Sequence, residues 1–118
     1  MRRHLATLTV LVSTLGLVSA CGDDKPSGTT DDVETIEVTF SGGTVTPNGE
    51  RVEVGVDQPI DLVVEADEPG EIHVHSEPEQ KFEYAAGTTT LKLVIDKPGV
   101  VEVESHELDQ VIVQLEVS

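Results

Sequence analysis

Three histidines in the body of this 118-residue chain carry the clearest chemical signal: His73, His75 and His106. In an extended segment, His73 and His75 project from one face with their Cα atoms roughly 6.5–7 Å apart. Two neutral imidazoles at that spacing are a common offer to a transition metal. His106 follows the run Val101–Ser105 and shares the parity of Glu102 and Glu104, away from the apolar face. Should the two segments be neighbours, three imidazoles and one or two carboxylates converge. Such a nitrogen and oxygen set suits Cu(II) or Zn(II) better than Cu(I). Glu77, Glu79 and Glu83 lie near the pair in sequence but lack the loop spacing of a calcium site.

Catalysis leaves no comparable trace. The chain has no Gly-x-Ser-x-Gly elbow and no phosphate-cradling glycine loop, and its one Cys is Cys21. No catalytic residue is assigned, and the chain reads as a non-enzyme. Two further readings fit the same residues. One is a metal-free sandwich with a structural or protein-interaction role, its His pair exposed on a strand. The other is a pH-responsive patch of imidazoles among carboxylates.

Positioning these side chains falls to β-strands. Ile36, Val38 and Phe40 alternate with polar residues, as do Val52, Val54 and Val56, then Ile60, Leu62 and Val64. Ile72 and Val74, Phe82 and Tyr84, Leu91 to Ile95, Val101 and Val103, and Val111 to Val117 repeat the pattern. A period of two over short runs predicts half-buried antiparallel strands. Between the runs stand Gly42-Gly43, Pro47-Asn48-Gly49, Pro69-Gly70, Ala86-Gly87 and Pro98-Gly99, all turn chemistry. The expected fold is all-β, a Greek-key sandwich of seven to eight strands over 33–118 with Phe40, Phe82 and Tyr84 as its large fillers. The stretch from Asp67 to Ser76 also echoes that from Asp96 to Ser105, which places Ile72 and Val74 on the same face as Val101 and Val103.

Composition narrows the partners. Seven Lys and Arg against 23 Asp and Glu give a net charge of −16, the wrong sign for nucleic acid or for a body lying on anionic lipid. Aromatic residues make up 3% of the chain and Trp is absent, which argues against a large aromatic pocket.

The N-terminus reads as an address. Met1-Arg2-Arg3 precedes an uncharged apolar stretch from Leu5 to Val18, the pattern of a secretory signal over 1–20. The run Val18-Ser19-Ala20-Cys21-Gly22 resembles a bacterial lipobox. That resemblance implies cleavage after Ala20, acylation of Cys21, and a location on the extracytoplasmic face of a bacterial membrane. Losing Arg2 and Arg3 would leave 5 basic against 23 acidic residues, a net charge of −18. Residues 21–32 hold no aliphatic side chain and read as an acidic tether with a span on the order of 20 Å.

Residues 69–117 carry a second resemblance. Pro69-Gly70-x-x-His73-x-His75, then Lys97-Pro98-Gly99-Val100-Val101-Glu102-Val103, then His106 and Leu115-Glu116-Val117, look like a cupredoxin-like domain. The resemblance implies a Greek-key sandwich with metal ligands near the ends of two neighbouring strands. In a blue-copper member, His73 or His75 would stand for the first His ligand and His106 for the second. The Cys place falls near Glu104 or Ser105, and no Met follows Met1. Without a thiolate a blue-copper electron carrier cannot form. The expected function is a membrane-anchored module binding copper or zinc through His73, His75 and His106. A further expected partner is an unidentified extracytoplasmic protein.

Overall fold

The computed structural model describes residues 32–118. The signal region 1–20, Cys21 and the tether up to Asp31 lie outside the described residues. Nine strands follow one another: β1 (Glu34–Ser41), β2 (Thr44–Thr46), β3 (Glu50–Val54), β4 (Ile60–Ala66), β5 (Gly70–Val74), β6 (Gln80–Tyr84), β7 (Gly87–Leu93), β8 (Gly99–Ser105) and β9 (Gln110–Val117). They form a four-stranded sheet in the order β2-β1-β4-β7 and a five-stranded sheet in the order β3-β9-β8-β5-β6. The all-β expectation holds, with one strand more than the alternation announces. The addition is β2, where Val45 alone faces the core and no period can show itself. Gly42 and Gly43 precede it at φ of +58° and +76°, left-handed values that an L side chain resists.

Pairing departs from the antiparallel expectation in two places. β1 lies parallel to β4, and β3 lies parallel to β9. Both cases join strands that are distant in sequence, so hairpin signals say nothing about them. The remaining pairs, β1–β2, β4–β7, β5–β6, β5–β8 and β8–β9, are antiparallel.

The core forms where the inner faces meet. Ile36, Val38, Leu62 and Val64 from one sheet pack with Ile72, Val74, Val103 and Leu115 from the other. Phe40 and Tyr84 stack at 4.9 Å and 19°. Phe82 is only partly buried against this cluster, a rim residue rather than the expected filler. The alternation expected through Val111 also breaks. Val103 pairs with Val113 while Glu104 pairs with Val111, so Ile112 is the extra residue of a bulge. Ile112 and Val113 are therefore buried side by side, whereas Val111 is half-buried.

Two consequences matter for the site. β5 lies between β6 and β8, with Ile72 opposite Ser105, His73 opposite Glu104 and Val74 opposite Val103. Ile72 and Val74 are fully buried, so Glu71 and His73 must point outward. Leu62 lies in β4, flanked by β1 and β7, and is fully buried. Leu62→Ala is expected to cost about 2–5 kcal/mol, and Val63→Ala on the outer side of the same strand markedly less. Paired urea titrations check this, and equal midpoints for the two variants would contradict the assigned core.

Candidate metal centre

β5 begins at Gly70, where backbone, hydroxyl and carboxylate crowd together. A Cβ at this position would meet the Tyr84 hydroxyl and come within 2.8 Å of Glu107 Oε2, so only glycine fits. From there the strand alternates, sending Ile72 and Val74 inward and Glu71 and His73 to the outer face. His106 reaches this face by another route. β8 ends at Ser105, which is buried like Val101 and Val103, and His106 opens the turn leading to β9. Its backbone N–H donates to Glu71 O at 3.0 Å, which draws the turn over the start of β5. Strand parity predicted the outward direction of His106, but a backbone bond in a turn provides it.

Glu71, His73 and His106 each offer a ligand atom, and these atoms all lie within 4.8 Å of one another. The His73 and His106 rings stack at 4.8 Å and 27°. His73 Nε2 meets Glu71 Oε1, while its Nδ1 lies 3.6 Å from Glu79 Oε1. His75 stands apart. Its ring is 6.4 Å from that of His73, roughly edge-on at 73°, and its Nε2 meets Glu104 Oε2 at 2.8 Å. Of the three histidines singled out in the sequence, two thus share a donor group and the third pairs with a carboxylate beside it. Glu71 is the donor that the sequence reading passed over. It stands two residues before His73, the same spacing that joined His73 to His75, and that parity was available to find it.

The electrostatics favour a cation here. Register sets Glu83 directly opposite Glu71, and like charges so placed destabilise a sheet. Glu71 is held below its ordinary value of 4.5, first by its hydrogen bond to His73; burial opposes this, and the charges of His73, His106 and Lys81 add to it. The group therefore remains an anionic donor into mildly acidic solution. Tyr84, beneath the turn, moves the other way, to about 12, through burial and then through the charges of Glu107 and Asp67.

The arrangement of strands has counterparts among solved structures. A mutant of amicyanin, described with Cu(I), superimposes with a TM-score of 0.53 at 12% identity, over 71% of this chain and 82% of amicyanin. A purple cupredoxin from Nitrosopumilus maritimus gives 0.52 at 16% identity, over 72% of this chain and 99% of its own. The fold is cupredoxin-like. A multi-copper oxidase from Pediococcus acidilactici also matches, at a TM-score of 0.50 and 15% identity, over 95% of this chain but 30% of the oxidase. No protein-family model and no curated protein matches the sequence.

Ser105 is buried and Glu104 half-buried, near the place that the sequence resemblance implies for a cysteine ligand. The Ser105 Oγ faces inward and accepts the Leu108 N–H at 3.3 Å, closing the turn on itself. The donors that do converge are one carboxylate and two imidazoles on the outer side of the sheet.

The shift of Glu71 can be read directly. A folded value below 4.5 means that the stability contributed by the Glu71–His73 contact is present above pH 4.5. It is lost as the pH falls through the lower folded value. Carbon-detected NMR titration should place the Glu71 carboxyl midpoint below 4.5, and His73→Ala should return it towards 4.5. A midpoint unmoved by that substitution would contradict the assigned cause.

Proposed function

We propose that this chain is a lipid-anchored, extracytoplasmic cupredoxin-like module that binds one divalent transition-metal ion, Cu(II) or Zn(II), for trafficking, sensing or buffering. The observation that carries the reading is the convergence of Glu71, His73 and His106 within 4.8 Å. One oxygen and two imidazole nitrogens suit both ions and leave coordination positions open to water or to a partner's ligand. A blue-copper centre does not fit, because the only Cys and the only Met are Cys21 and Met1, and electron carriage of that kind is not assigned. Binding rather than catalysis is the reading, since the resemblance to an oxidase extends over 30% of that enzyme. The lipid anchor rests on the lipobox-like run ending at Cys21.

A metal-free interaction module is the second reading. It is favoured by the carboxylate partners that the imidazoles already have, Glu71 and Glu79 for His73 and Glu104 for His75. Calorimetry separates the two. Titration of the purified protein with Zn(II) and Cu(II) should show about one tight equivalent. His73→Ala or His106→Ala should weaken it beyond the roughly 10–100-fold typical of losing an outer-shell partner. Equal, weak heats for all three proteins would establish the metal-free reading instead.

The anchor has its own test. In a bacterial host, the chain should partition with membranes and incorporate labelled palmitate, and Cys21→Ser should abolish the label and release the protein. Membrane association that survives Cys21→Ser without label would remove the anchor.

A further inference from the structure

Glu107 lies outside the donor group, yet its side chain is tied to the backbone of that group. Its carboxylate accepts the Glu71 backbone N–H with both oxygens, at 3.1 and 3.0 Å. One residue earlier, the His106 N–H donates to Glu71 O at 3.0 Å. The two peptide groups of Glu71 are thus held by consecutive residues of the β8–β9 turn. A third bond, from Leu108 N–H to Ser105 Oγ at 3.3 Å, stiffens the turn itself.

This arrangement addresses a particular difficulty. The donors come from two segments, Glu71 and His73 from β5 and His106 from a turn more than 30 residues later. The His106 N–H bond to Glu71 O already sets the backbone of the turn against the strand. The carboxylate of Glu107 adds a second, charge-assisted tie, one backbone N–H shared between its two oxygens at 3.1 and 3.0 Å. Glycine at position 70 leaves the space that Glu107 occupies, since a Cβ there would lie 2.8 Å from Oε2. Glu107 itself is exposed, so the core does not depend on its side chain.

We infer that Glu107 is a positioning residue of the metal centre, a role that rests on the metal-binding reading above. It holds His106 stacked on His73 at 4.8 Å before any ion arrives, so the ion meets a preformed pair. Groups that orient metal ligands typically change affinity about 10–100-fold when removed.

The test compares the unsubstituted protein with Glu107→Ala and Glu107→Gln, using Zn(II) as the probe. Calorimetry should show affinity falling about 10–100-fold in Glu107→Ala, with part of it recovered in Glu107→Gln, whose amide oxygen still accepts a bond. Hydrogen exchange without metal should show the Glu71 amide deprotected in the alanine variant and partly protected in the glutamine variant. Amides of the core strands should stay as protected as before. Unchanged Zn(II) affinity in Glu107→Ala would overturn the role and leave a merely structural contact. A Glu71 amide that loses protection when Zn(II) binds the unsubstituted protein would also overturn it, since Glu107 would then have left the backbone to become a ligand. Absence of Zn(II) uptake by the unsubstituted protein would instead remove the metal-binding reading, and the positioning role with it.

Discussion

The pairing of β5 with β8 is the constraint from which the site descends. Val74 faces Val103 and Ile72 faces Ser105, all four side chains fully buried. A slip of β5 by one residue would bring His73 and the charged Glu71 into the core and expose Ile72 and Val74. Burying an unpaired charge costs far more than burying a methyl group gains, so this register has no close competitor. With the register fixed, the outer face receives Glu71 and His73 from one strand and Glu102 and Glu104 from the other. The same pairing brings the end of β8 alongside the start of β5, which is why the β8–β9 turn can reach Glu71 at all.

Charge then decides how that outer face is used. The described residues include four basic side chains, Arg51, Lys81, Lys92 and Lys97. Arg51 pairs with Glu116 and Lys92 with Asp61, both far from the imidazoles in sheet register and exposed enough to contribute little to stability. Lys81, opposite His73, is the only basic side chain that register places beside the site. Glu71 and Glu79 instead have His73 as their neighbour, and Glu104 has His75. The negative charge on this face suits the cation proposed for it.

Much of this was legible in the chain, and the exceptions have physical reasons. Ile36, Leu62, Ile72, Val101 and Leu115 occupy the inner faces that alternation assigned to them, because one-sided burial imposes a period of two. The outward direction of His73 follows from the same rule. Turn residues announced most strand boundaries, but a three-residue strand such as β2 is too short to carry a period. The parallel pairs β1–β4 and β3–β9 follow from long-range packing and leave no local mark. Ile112 was hidden because a bulge adds one residue and reverses the faces that follow, and Val111-Ile112-Val113 contains no polar residue to show where this happens. In the site, strand parity alone cannot tell which imidazole takes which carboxylate. His75 pairs diagonally with Glu104, and Glu71 takes the place beside His73 and His106. The grip of Glu107 on the Glu71 backbone involves no pattern in side-chain type at all.

The parallel run of β1 and β4 gives the domain two distinct poles. β1 starts at Glu34, whose N–H donates to Pro59 O, beside Ile60 and the end of β7. It finishes near Phe40, which lies against Tyr84, the register partner of Gly70 at the head of β5. The seven steps of about 3.3 Å between its eight residues separate these ends by roughly 23 Å. The chain therefore enters the domain at one pole and presents Glu71, His73 and His106 near the other. With the lipid attachment proposed at Cys21, the donor group would stand at the pole of the domain farther from the point where the chain enters it. Chain entry and donor group are thereby separated by the length of β1, so what happens at one end need not disturb the other.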